Sequence, residues 1–346
     1  MQHNEPPVIK IRCIVLDDTK RGKFPKEPLS DGDNSMHYER VEGLLRAGKT
    51  AKLLRIGIPA VKGLIKAFEN PELKAAASET LGRIVAQHPK SDWEFSVEFF
   101  LKASEDADKR MRENAIACAL RIALAHPDYD WSGAIPLLML AFGMEAPIDF
   151  DAAGLFRRIS EAHPEYDLGK AVFHLAMMVE KRHYGWEDAI VAMGNIGDVS
   201  AVPALEKVSG YSWNVQKAAA EALGKIVERH PEYDWGRTAR ALISFGSFDE
   251  GILLEVSAAL LKMGPKAVRA LVEALGDENV LMRERALHAL ANMVESRPRE
   301  VALEIVGMVN GNFGDRLLEI HSSNERMVQG LHHLLLKCGE AMEHAA

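Results

Sequence analysis

A three-residue signature returns eight times along this chain: an apolar or small residue or Arg, then Arg, Lys or Asn, then Ile or Met. The copies are Leu54-Arg55-Ile56, Gly82-Arg83-Ile84, Leu120-Arg121-Ile122, Arg157-Arg158-Ile159, Gly194-Asn195-Ile196, Gly224-Lys225-Ile226, Leu261-Lys262-Met263 and Ala291-Asn292-Met293. Successive Ile/Met positions are 28, 38, 37, 37, 30, 37 and 30 residues apart. Self-similarity at this period marks a stacked array, in which one repeat cannot bury its apolar face without its neighbours. Arrays mostly present surfaces, so the repeat also lowers the expectation of enzymatic chemistry.

The spacing follows from how each helix is stopped. Where Gly follows the signature at once (Gly57, Gly197, Gly264), the next copy arrives after 28 or 30 residues. Where the helix runs on into His88-Pro89, His126-Pro127, His163-Pro164 or His230-Pro231, the next arrives after 37 or 38. The last copy is followed by Arg297-Pro298. Glycine closes a helix in the left-handed conformation without a Cβ penalty. Proline lacks the N–H needed to continue, so the helix ends before it. After each His-Pro comes Ser91-Asp92-Trp93, Tyr129-Asp130-Trp131, Tyr166-Asp167-Leu168 or Tyr233-Asp234-Trp235. The Asp is expected to N-cap the next helix, and the aromatic residues to fill the corner between adjacent repeats.

From about His37 the apolar pattern is helical. Val61, Leu64, Ile65 and Phe68 fall on one helix face. A turn at Glu69-Asn70-Pro71 then leads to an Ala-rich helix containing Ile84. The stretch Met263 to Leu275, the turn Gly276-Asp277-Glu278-Asn279 and the helix reaching Met293 align with it nearly residue for residue. Each unit therefore reads as a helical hairpin, with Ala75 to Ala77 and Ala218 to Ala220 letting neighbouring helices approach closely. Residues 1–36 differ. Val8 to Leu16 reads as a strand or extended arm, and Asp17 to Ser35 as a polar loop. The expected organisation is an N-terminal arm at 1–36, a repeat array at 37–297 and capping helices at 298–346.

The helix, turn and Ala-rich helix closing in Leu-Gly-Arg-Ile (81–84) or Leu-Gly-Lys-Ile (223–226) resembles the HEAT-repeat family, most closely its short PBS-lyase repeats of the E-Z type. An Asp six residues before an Arg, at Asp106/Arg112 and Asp277/Arg283, adds to the resemblance. It implies a ladder of these residues between layers, incomplete here because Lys74 and Gln216 stand at the arginine position. The resemblance covers about residues 50–296 and implies an all-α, right-handed α-solenoid of HEAT/ARM-type hairpins, about eight units long. It speaks to the fold far more than to function.

Composition narrows the function. The net charge of −8 is a poor basis for nonspecific nucleic-acid binding, which needs a basic footprint. Three cysteines (Cys13, Cys118, Cys338) lie far apart, which argues for a reducing, cytoplasmic setting over a disulfide framework or a cysteine zinc site. No apolar run has the roughly 18–20 residues of a membrane helix, and Met1 to Pro7 lacks the pattern of a secretory leader.

Three constellations could carry chemistry. Gly43 to Thr50 has the G-x-x-x-x-G-K-[ST] spacing of a phosphate-binding loop, but it follows a polar helix where the motif requires a buried strand. Gly48 is expected to stop one helix before the next. The four His-Pro histidines sit in different layers, about 10 Å apart, too far to converge on one metal. The third is a basic column: Arg55, Arg83, Arg121, Arg158, Lys225 and Lys262 share one repeat position, broken by Asn195 and Asn292. Stacked, they would form a stripe able to track an acidic peptide, a phosphorylated partner or a nucleic-acid backbone. The plainer reading is that each offsets the dipole of its own helix end, with Glu161, Glu221 and Glu228 neutralising some of them.

The sequence thus predicts a non-catalytic, cytoplasmic protein-binding scaffold or adaptor using the solenoid surface, its concave face of second helices holding an extended or helical partner, with the column as a candidate partner-binding stripe. It predicts no cofactor, metal, membrane contact or small-molecule substrate. Two alternatives remain: bilin lyase-type action on phycobiliproteins, implied by the resemblance alone, and nucleic-acid backbone binding along the stripe. No His-Glu dipeptide is present. That sets the chain apart from the HEAT-like deoxyhypusine hydroxylases, which bind iron through such pairs.

Overall fold

The computed structural model describes residues 36–143, 152–183, 185–245, 250–308 and 325–343, and every regular element among them is helical. The arm and strand expected within residues 1–35 lie outside the described residues. The chain divides into two compact units, Met1–Tyr166 and Asp167–Ala346.

In the first unit the helices are α1 (Tyr38–Arg46), α2 (Thr50–Ile56), α3 (Val61–Ala67), α4 (Lys74–Gln87), α5 (Val97–Ala103), α6 (Lys109–Ala125), α7 (Ile135–Leu138) and α8 (Ala152–Ala162). The second helices of successive hairpins, α2, α4, α6 and α8, pack one on the next in that order. The second unit holds α9 (Gly169–Lys181), α10 (Trp186–Ile196), α11 (Val202–Glu206), α12 (Trp213–Arg229), α13 (Gly236–Ser244), α14 (Glu250–Met263), α15 (Pro265–Ala274), α16 (Val280–Ser296), α17 (Pro298–Met308) and α18 (Glu325–Glu343). There α9, α11, α13, α15 and α17 form one row, and α10, α12, α14, α16 and α18 the other. Short helices such as α2 and α11 are marginal alone. Burial supplies what length does not: Leu53, Leu64, Ile84, Ile122, Leu205 and Ile226 are all at most 1% exposed.

The helix stops take two forms. Before proline, α4, α6, α12 and α16 end with His88, His126, His230 and Arg297 in one shared conformation, φ −130° to −139° and ψ 50° to 66°. Proline's ring excludes the helical region for the residue before it, so each helix ends one residue earlier than its tag. At the glycines φ is positive, but only Gly197 is left-handed (φ 73°, ψ 21°). Gly57 (68°, −135°) and Gly264 (65°, −142°) occupy a different region, equally closed to residues with a Cβ. The expected left-handed cap is thus corrected at two of the three, while the need for glycine stands.

The corner after each proline is held by side chains. Trp93, Trp131 and Trp235 are fully buried, and each indole N–H donates to the carbonyl of the histidine five residues earlier, at 2.9–3.0 Å. That satisfies a helix-end carbonyl that would otherwise be orphaned. The Asp is not the N-cap residue itself. It lies one position earlier, and Asp92, Asp130, Asp167 and Asp234 each accept from the N–H two residues on, in an Asx turn.

Candidate functional site

Every column residue sits on a second helix: Arg55 on α2, Arg83 on α4, Arg121 on α6, Arg158 on α8, Lys225 on α12 and Lys262 on α14. Within each unit, consecutive column residues therefore lie on helices that pack directly together.

In the first unit the row is largely open. Arg55 is exposed, while Arg83 and Arg121 are half-buried. None of the three makes an ion pair or side-chain hydrogen bond among the described residues, and Arg83 Nε is buried with no acceptor. The acid nearest in sequence to Arg83 on its own helix face, Glu79, is engaged by Arg110 at 3.3 Å. Arg158 behaves differently. Its Nη1 donates to the Leu124 carbonyl at 2.7 Å, at the C-terminal end of α6, so it compensates a neighbouring helix's dipole. Lys49 and Lys52, both exposed, join Arg55, Ala51 and Ile56 in lining a shallow depression.

In the second unit the row is closed. Lys225 Nζ donates to the amide oxygen of Asn195 at 3.0 Å and pairs with Glu221 at 3.4 Å. Lys262 Nζ pairs with Glu228 at 3.0 Å. Asn292 donates to Ser257 at 3.2 Å. The anticipated neutralisation by Glu221 and Glu228 is present here, whereas Glu161 in the first unit is taken by Arg157 at 3.0 Å.

Two of the His-Pro histidines link hairpins. A carbonyl only accepts, so His126 Nε2–H donates to Pro89 O at 3.2 Å, and His230 Nε2–H to Gly197 O at 3.0 Å. Both bonds run from one hairpin to the one before. Two tyrosines do the same: Trp93 N–H donates to the Tyr129 hydroxyl and Trp131 N–H to that of Tyr166. The hydroxyls in turn donate to Asp92 and Asp130. Asp130 is held down to about 2 by its bonds to Ser132 and to the Tyr166 hydroxyl.

The expected Asp–Arg ladder is rearranged. Arg112 donates to the carbonyls of Asp106 and Ala107, and Arg283 to those of Asp277 and Glu278. These arginines cap their own turns. Gln216 does the equivalent, donating to Ser209 and Tyr211 carbonyls. The rungs between hairpins are Lys74–Asp106, in which lysine at the arginine position makes the link it was expected to break, and Arg240–Asp277, from outside the expected ladder.

The phosphate-loop spacing does not form a phosphate cradle. Gly43 to Arg46 belongs to α1, and the N–H groups of Ala47, Gly48 and Lys49 are bonded to carbonyls of that helix. Gly48, at φ 63°, breaks α1 from α2, as its place between two helices predicts. Among the described residues no group of three or more His, Cys, Asp or Glu could hold a metal ion. No described helix is long and apolar enough to cross a membrane. No family model matches the chain, and no curated protein matches it.

Proposed function

We propose that the protein is a non-catalytic scaffold or adaptor, a right-handed α-solenoid of about eight HEAT-like hairpins that works in the cytoplasm. Its second helices present a basic row to an acidic protein partner. One observation carries this reading: Arg55, Arg83 and Arg121 hold no carboxylate among the described residues, while Lys225 and Lys262, at the same repeat position, are neutralised. Guanidinium groups left without carboxylates match an acidic surface, because charge-assisted, bidentate bonds to carboxylates are among the stronger polar contacts.

The test is capture of partners from source lysate by three proteins: the wild type, an Arg55→Glu/Arg83→Glu/Arg121→Glu variant, and a Lys225→Glu/Lys262→Glu variant. Each is first shown to melt cooperatively. A protein kept by the wild type and the lysine variant but lost by the arginine variant supports the reading. Equal retention by all three contradicts it. Recovery of nucleic acid instead, with affinity falling steeply in salt, would replace the protein partner with a polyanion.

A further inference from the structure

The open row has a period, and a period selects a ligand conformation. Resting on the reading above, we infer that the row in the first unit binds an acidic peptide in the polyproline II conformation, with Asp or Glu at every third residue. The second helices α2, α4 and α6 pack directly on one another, and packed helix axes lie about 8–10 Å apart. The cations of α2, α4 and α6 thus form a row with a repeat of roughly 9 Å. A polyproline II chain returns to the same face every three residues, at about 3.1 Å per residue, which is close to 9.3 Å.

Other polymers fit this repeat less well. A β-strand returns to the same face every two residues, at about 6.6 Å, so its acids would fall out of step by the second rung. A nucleic-acid strand carries a charge about every 3.4 Å, and most of its phosphates would meet no cation, on a protein whose net charge is −8. A polyproline II segment also has no internal hydrogen bonds to break and little conformational freedom to lose. Lys49 and Lys52 thicken the positive charge beside Arg55, so the more acidic end of the peptide lies over α2.

The test uses the full chain and three labelled peptides in fluorescence anisotropy. One is a Glu-Pro-Pro repeat of about a dozen residues. The second is its isomer with all glutamates in one block. The third is an alanine-based helix with Glu at every seventh position, whose same-face repeat is about 10.5 Å. The expected result is that the repeat binds at least about fivefold tighter than either of the others. It should also lose about 100-fold or more in an Arg55→Gln/Arg83→Gln/Arg121→Gln variant, at about tenfold per guanidinium–carboxylate contact. If block isomer or helix binds as tightly while the variant still loses binding, the register is wrong and the row stands. If the variant binds all three peptides like wild type, the row is not a binding surface, and both this inference and the reading beneath it fail. Far-UV circular dichroism of the variant separates lost binding from lost fold.

Discussion

The two halves of the basic column hold the same repeat position and end in opposite chemical states. Lys225 has Glu221 four residues before it and Asn195 on the preceding second helix, and it bonds both. Arg121 has Ala117 in the equivalent place, and Arg55 has Ala51. Arg83 does have Glu79 four residues before it, but Arg110 takes that carboxylate. Repeat position therefore fixes where a side chain emerges. The residues one turn away and on the adjoining helix decide whether its charge is spent inside the protein or left without a carboxylate. The residue types differ in the same direction, arginine in the first unit and lysine in the second. A rigid fork of donors suits bidentate capture of carboxylates, whereas a lysine ammonium acts as a point charge.

Charge reversal separates the two halves most widely. Reversing Arg55, Arg83 and Arg121 to Glu is expected to weaken binding of an acidic probe peptide by about 100-fold or more. Reversing Lys225 and Lys262 should leave it within about threefold, since those charges are already matched. Anisotropy titrations measure both, and equal losses would mean the two halves act alike.

Next in size is a pair of glycines at one signature position. A Cβ on Gly194 would lie 2.7 Å from Cα and Cβ of Ala222, whereas one on Gly82 would meet only Cys118 Sγ at 3.7 Å. Gly194→Ala is therefore expected to destabilise by about 1–3 kcal/mol through overpacking. Gly82→Ala, inside α4, should stabilise by up to about 1 kcal/mol through helix propensity. Urea denaturation measures both signs, and a loss at Gly82 would show that α4 and α6 are packed as tightly as α10 and α12. Ala219→Leu, at a fully buried position of α12, belongs with the losses, at about 1–3 kcal/mol.

Smaller still are the tyrosines. Tyr129 and Tyr166 bond to the preceding hairpin's Trp-Asp corner, whereas Tyr233 only packs against Trp235, with ring centroids 4.7 Å apart. Tyr129→Phe and Tyr166→Phe should each cost about 1 kcal/mol, and Tyr233→Phe close to nothing. Parity among the three would remove the tyrosine bond as a device peculiar to the first unit.

A carboxylate moved between halves tests the rule itself. Ala117→Glu, which copies the Glu221–Lys225 arrangement beside Arg121, should weaken acidic-peptide binding several-fold and leave the melting temperature nearly unchanged. Unaltered affinity would mean that Arg121 is not part of the binding row.

The smallest effect is on acid stability. Asp130 sits at about 2 when folded, below its ordinary value near 3.9. A depressed carboxyl stabilises the fold above its unfolded pKa, and that stability is lost as pH falls through the folded one. Asp130→Asn should therefore flatten the decline in stability between about pH 4 and pH 2. An unchanged slope in acid denaturation would show that the Ser132 and Tyr166 bonds do not hold the carboxylate.

The hairpins, their stops and the column positions were legible in the sequence because each depends on local chemistry. Four helices end in one conformation because a proline follows, and Gly48 separates two helices because its φ is positive. What was not legible depends on which side chain gets there first. Nothing in the spacing of Glu79 says that Arg110, one hairpin away, outcompetes Arg83 for it. The ladder follows the same rule: Arg112 and Arg283 find turn carbonyls within reach of their own helix. That leaves Asp106 and Asp277 for Lys74 and Arg240. The phosphate-loop spacing picks out Lys49, whose place in the structure is beside Lys52 and Arg55 at one end of the open row.

The division between Arg55, Arg83 and Arg121, which hold no carboxylate among the described residues, and the neutralised Lys225 and Lys262 can be read directly. Side-chain NMR of protein labelled with ¹⁵N in arginine and lysine, titrated with an acidic polyproline II peptide, reads both halves in one sample. The Nε–Hε signals of Arg55, Arg83 and Arg121 are expected to move together and saturate at one affinity, while the Nζ signals of Lys225 and Lys262 stay in place. Movement of the lysine signals with the arginines unmoved would overturn that division.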